Sequence, residues 1–135
     1  KTIGMIGGMS WESTVLYYQI INETVGKELG GLHSAKILLY SVIFDEIEKY
    51  QAGGEWEKAG EVLSEARKLE KPGDYLVICT NTMHKVCAPD TDAIQIPIYH
   101  IAEATADVLK ESRIRKVASA WNKVYDDPGF FTRKN

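Results

Sequence analysis

KTIGMIGGMSWEST, residues 1–14, decides how this chain folds. Thr2–Gly7 is apolar enough to read as a strand buried on both faces, the habit of a central strand in a parallel sheet. The pair Gly7-Gly8 then turns the chain. Ser10 is placed to cap a helix, and Glu12 falls in its first turn, where a negative charge is favourable. Trp11, Val15, Tyr18, Ile21 and Val25 recur at helical spacing and predict the stripe by which that helix packs, up to its end at Gly30-Gly31.

Outward from this unit the same alternation repeats. Lys36–Val42 predicts a second buried strand, and Phe44–Gln51 a short helix interrupted by Gly53-Gly54. Glu55–Glu70 predicts a longer helix with Trp56, Ala59, Leu63, Ala66 and Leu69 on one side; its alternating Glu and Lys residues form the solvated face. Pro72-Gly73 is a turn, Asp74–Cys79 a third strand, and from Thr82 the chain turns helical until Pro89 ends or kinks it. Ile96–His100 is a fourth strand, kept short by Pro97; Ile101–Glu111 is a helix, and Ile114–Ala118 opens a fifth strand. Strands alternating with helices predict an α/β fold, three-layered and doubly wound on a mainly parallel sheet of flavodoxin-like order. Residues 1–118 read as one such domain. Residues 119–135 read as an atypical C-terminal tail, aromatic and aperiodic, with a turn at Asp126-Asp127-Pro128-Gly129.

Composition excludes several classes of function. In 135 residues there are 16 Lys+Arg against 19 Asp+Glu, a formal charge of −3, with 44% hydrophobic residues. That suits a globular domain with one core. It offers no basic stripe for nucleic acid, and no apolar run nears the ~20 residues of a membrane span. Two cysteines make no disulfide framework, and the first residues lack the features of a signal peptide, so a cytoplasmic setting is expected.

In open parallel sheets, ligands bind beyond the carboxyl ends of strands where the strand order reverses. For a flavodoxin-like order the first and third strands flank that point. Two polar loops follow them: Gly7-Gly8-Met9-Ser10 and Thr80-Asn81-Thr82-Met83-His84. Each is expected to open a helix, so backbone N–H groups from both would face one crevice, an arrangement suited to a small ligand with two anionic groups. The loop GMIGGMS lacks the GxGxxG spacing of a dinucleotide site. Thr80-Asn81-Thr82 reads as a binding loop rather than only a capping turn. Cys79, at the end of an apolar strand, reads as a small buried hydrophobe pointing away from Thr80. His84 and Cys87 share a helical face, yet with Cys79 or His100 their spacing matches no closed zinc motif, so no metal is expected. His33 reads as solvated. His100 lies near the crevice, either lining it or bonding a neighbouring loop.

KTIGMIGGMSWEST, GGLHSAKILLYSV, QAGGEWEKAGEVL, VICTNTMHKV and IPIYHIAEATADVLK together resemble the aspartate/glutamate racemase family, from Lys1 to about Val117. The resemblance implies an isomerase that needs neither pyridoxal phosphate nor a metal, nor any other cofactor. It implies two similar α/β domains with the active site between them, one acid/base group from each flanking the substrate Cα. This chain resembles the first of those domains and the start of the second. Where many members carry Cys-Asn-Thr, the chain has Thr80-Asn81-Thr82, which resembles the branch using Thr opposite a Cys. The resemblance thus assigns proton transfer to Thr80, the substrate carboxylate to Asn81 and Thr82, the other wall to Met9 and Ser10, and the distal carboxylate to Gln51. The substrate implied is a small dicarboxylic amino acid, aspartate or glutamate.

Several features depart from the pattern. A threonine hydroxyl has a high pKa and needs help to act as a base. The family's second catalytic Cys, in a Gly-Cys-Thr-Glu loop, has no counterpart in this sequence. Cys87 would lie about 7–8 Å from Thr82 along a helix axis, at ~1.5 Å per residue and on the same side of the substrate, a poor substitute. Ser119-Ala120-Trp121-Asn122 replaces a Leu-Gly-Thr loop, Ile43 stands where an acid or amide is usual, and Pro72 and Pro89 are atypical. An open crevice face suits a homodimer. The alternative reading is a non-catalytic domain that binds a dicarboxylate; a third is decarboxylation or cis–trans isomerisation of dicarboxylic acids.

Overall fold

The computed structural model describes residues 1–67, 73–86 and 96–114. In chain order the elements are β1 (Ile3–Gly7), α1 (Trp11–Leu29), β2 (Ile37–Ser41), α2 (Phe44–Ala52), α3 (Trp56–Arg67), β3 (Tyr75–Ile78), a 3₁₀ helix (Thr82–Val86), β4 (Ile98–Tyr99) and α4 (Ile101–Glu111). The four strands form one sheet in the order β2-β1-β3-β4, and every pairing is parallel. This is the expected doubly wound α/β architecture: from β1 the chain steps outward to β2, then crosses back to β3 on the opposite side of β1. The order reverses between β1 and β3, which fixes where two adjacent strand ends diverge into different loops.

Side-chain alternation assigns the layers. Ile6 of β1 pairs in register with Ile78 of β3. Both are buried in one core with Ile47 of α2 and Ala59 and Leu63 of α3, joined by Met9, Val42 and Met83. Each large side chain removed from water here contributes about 1.5–3 kcal/mol. On the opposite face, Gly7 lies under Thr14 of α1, and Met5 is buried. The same face over β3 and β4 carries the edge-to-face pair Tyr75 and Tyr99, with Tyr99 61% exposed.

Two expectations need correction. β2 is an edge strand, and Leu39 on it is 45% exposed; an apolar run shows that a strand is covered somewhere, but only its place in the sheet decides how much. The packed stripe of α1 also differs from the predicted one. Ile21 and Val25 face inward as expected, but with Thr14 and Tyr17, while Trp11 (66% exposed), Val15 and Tyr18 face out. Thr14 sets this rotation. Its Oγ1 accepts from the Gly8 N–H at 3.0 Å and donates to the Ser10 carbonyl at 3.0 Å, bonds available only if Thr14 faces the β1–α1 loop.

The remaining elements match closely, with α4 spanning Ile101–Glu111 as expected. Leu69, Pro72, Cys87, Pro89, most of the predicted fifth strand and the whole 119–135 tail lie outside the described residues. Ile114 itself is not in a strand.

Candidate functional site at the ends of β1 and β3

The β1–α1 loop is built on two glycines with no room for a side chain. A Cβ on Gly7 would lie 2.5 Å from the Thr14 hydroxyl. Gly8 adopts φ +91°, and a Cβ there would lie 2.6 Å from the Val42 nitrogen and against its carbonyl oxygen. That close approach seats the loop on the end of β2, where the Val42 N–H donates to the Gly7 carbonyl at 2.9 Å. Ser10 caps α1 as predicted: its extended backbone (φ −139°) turns Oγ to accept from the Ser13 N–H at 3.2 Å. The Ser10 hydroxyl also reaches the Glu12 carboxylate at 3.4 Å. Met9 directs its side chain into the core, so any contact it makes at the crevice falls to its backbone.

The second loop leaves β3 beside the first. The Cys79 N–H donates to the Ile6 carbonyl at 2.9 Å, so β3 stays joined to β1 up to the loop itself. Thr80 and Thr82 are half-buried and Asn81 is exposed. The loop opens a 3₁₀ helix, tighter and shorter than the α-helix expected, and its dipole is correspondingly small. Met83 drops from this turn into the core and is fully buried. Its sulfur accepts from Gln51 Nε2 at 3.0 Å, which holds the end of α2 against the loop. The structure thus brings Met9, Ser10, Gln51, Thr80, Asn81 and Thr82 to the carboxyl end of the sheet, around the strand ends that diverge.

Two histidines pack beside the second loop. His84 is buried and His100 caps α4, its Nδ1 accepting from the Ala102 N–H at 3.1 Å; the rings meet edge-to-face with centroids 4.4 Å apart. Among the described residues no group of three His, Cys, Asp or Glu side chains could hold a metal ion, and no helix is long and apolar enough to cross a membrane.

A family model for Asp/Glu/Hydantoin racemases matches residues 6–118, most of the chain. The chain belongs to this racemase family. Its fold is also that of a crystal structure from Yersinia pestis assigned as an Asp/Glu racemase: TM-score 0.78, 51% identity, 84% of this chain covered and 50% of that one. A second similar structure is an aspartate racemase homologue from Pyrococcus horikoshii OT3, with TM-score 0.68, 28% identity, and 83% and 50% of the two chains covered. This racemase-family chain thus spans about half the length of either protein.

Within a racemase-family loop, the contrast between Cys79 and its neighbour Thr80 is chemical. Cys79 is fully buried, and burial pushes its thiol up from 9.0 to about 12. It lies toward α1, near enough to Tyr17 to reinforce the rise in that phenol's pKa, which burial causes first. At neutral pH it is a thiol packed as a hydrophobe, as its place in the sequence suggests. Iodoacetamide should therefore leave Cys79 of the native chain unmodified at neutral pH, and alkylate it once denaturant is added. Peptide mapping separates Cys79 from Cys87; rapid native labelling at Cys79 would contradict the burial.

Two contributors escaped the sequence reading. Thr14 holds the first loop, and its only signal in the sequence is a hydroxyl next to an apolar stripe. His84 appears in sequence as the end of the polar loop and as a candidate metal ligand, but its bridge does not, because its partners, a carbonyl and an amide, carry no side-chain signature.

Proposed function

We propose that this racemase-family chain binds a small dicarboxylic amino acid, aspartate or glutamate, at the β1/β3 crevice and carries one half of a 1,1-proton-transfer site. The observation that carries this reading is the adjacency of β1 and β3, which sets the Gly7–Ser10 and Thr80–Thr82 loops side by side beyond the carboxyl end of the sheet. Asn81 and Thr82 would hold the substrate carboxylate, Ser10 and the Met9 backbone the facing wall, and Gln51 the distal carboxylate. Thr80 would stand on one face of Cα as the proton-transfer group. Its hydroxyl is a poor base and a competent donor. The fitting division of labour is removal of the Cα proton by a thiolate on the opposite face and delivery of the Thr80 proton to the nearer one. That thiolate would come from the family's second half. A homodimer that pairs two open crevices is the association this arrangement favours, in a cytoplasmic setting and without a cofactor.

Incubation of l-aspartate in heavy water with the chain together with a family second half that supplies the thiolate tests the reading. Deuterium at Cα with both halves present, lost in Thr80→Val, supports proton transfer. Binding without exchange, with both halves present, supports the alternative, a non-catalytic dicarboxylate-binding domain. No binding at all overturns both, and a product other than the enantiomer would indicate decarboxylation or isomerisation of a dicarboxylic acid.

A further inference from the structure

We propose that His84 is a positioning residue: its neutral imidazole joins the Thr80 carbonyl to the Ile101 N–H and so holds the candidate proton-transfer loop against the start of α4. The ring is 4% exposed and lies between the two segments. Nδ1 is 2.7 Å from the Thr80 carbonyl oxygen, and Nε2 is 3.4 Å from the Ile101 nitrogen. A carbonyl only accepts and an amide N–H only donates. The two neighbours therefore specify one state, with the proton on Nδ1 and a lone pair on Nε2. Thr80 thus has its side chain assigned to the substrate and its main chain tied to a buried ring four residues on. The importance of that tie to proton transfer rests on the racemase reading; the tie itself does not.

His100 makes the arrangement double. Its Nδ1 accepts from the Ala102 N–H, so consecutive amides at the start of α4, which lack partners within the helix, are each met by an imidazole nitrogen. Protonating His84 would remove the acceptor that meets the Ile101 N–H and place a cation at the positive end of α4. Burial first, and His100 second, lower the His84 pKa below the ordinary 6.5; the carbonyls of Thr80, Asn81 and Tyr99 oppose this. His100 is the titratable group acting on the ring. As pH falls below 6.5 the unfolded chain takes up a proton that the folded ring resists, so stability declines on the acid side.

Nitrogen-15 NMR of the imidazoles in the intact chain, amide exchange at Ile101, and l-aspartate binding test the proposal together. The wild type should show His84 neutral with the proton on Nδ1, and a slowly exchanging Ile101 amide. His84→Leu should expose the Ile101 amide and weaken l-aspartate binding by about tenfold, the worth of roughly one buried hydrogen bond. His84→Asn, whose amide can still donate to the Thr80 carbonyl, should recover most of the affinity without protecting Ile101, and should lose the acid-side decline in stability. A proton on Nε2 in the wild type overturns the proposal with no variant needed. So does a His84→Leu chain with unchanged Ile101 exchange and affinity. Wild-type chain that fails to bind l-aspartate overturns the dicarboxylate reading instead, and the tautomer and the Ile101 exchange then decide the role of His84.

Discussion

Replacing Gly8 with alanine should destabilise the chain by about 2–5 kcal/mol. Two costs add. An L-residue in the left-handed region costs about 1–2 kcal/mol, and Gly8 sits at φ +91°. Forcing a methyl into a packed site costs about 1–3 kcal/mol more, and this methyl meets the Val42 backbone, which β1 holds through the Gly7 carbonyl and which cannot swing aside. Gly54 separates the two terms. It also has a positive φ, +72°, but a Cβ there meets nothing within 4 Å. Gly54→Ala should therefore lose only the backbone part. Denaturant unfolding of the two variants gives the difference directly, and equal losses would show that the approach to Val42 costs nothing. Because domains are stable by only about 5–15 kcal/mol, the Gly8 variant should lie near the edge of folding.

Gly8 also shows what sequence could and could not reveal. A Gly-Gly pair between an apolar strand and a capped helix announces a tight turn, since both signals are local. Ser10 as the cap was legible for the same reason: one side chain satisfies an amide three residues away. The phase of α1 was not. Apolar spacing alone favours Trp11, Val15 and Tyr18, yet the helix turns Thr14 inward because two backbone groups of the loop need its hydroxyl. The exposure of Leu39 was equally hidden, because edge position is a property of the whole sheet. The adjacency of the loops after β1 and β3 followed from topology, as the order of strands fixes which loops are neighbours. The His84 bridge did not, because it runs to main-chain atoms of a strand end and of a helix seventeen residues away.

Met83 is where core and candidate site share one side chain, and Met83→Ala should cost about 2–5 kcal/mol, the range for large-to-alanine changes at buried positions. Its side chain is 0% exposed and packs among Ile6, Met9, Val42, Ile47, Ala59, Leu63 and Ile78. Most of those neighbours belong to strands and helices fixed by other contacts, so they can close the resulting hole only in part. The second consequence is local. The 3₁₀ turn is pinned from below by this side chain, and Gln51 is held beside the loop by its bond to the sulfur. Met83→Leu separates the effects: it keeps nearly all the volume, at a cost below about 1.5 kcal/mol, but removes the sulfur acceptor. If Gln51 serves the distal carboxylate, the leucine variant should unfold near the wild-type denaturant midpoint and bind l-aspartate more weakly, whereas Gln51→Ala should weaken binding further without disturbing the core. Leucine and wild type with the same affinity would mean that the sulfur contact only fills space, and that Gln51 finds its ligand without guidance from Met83.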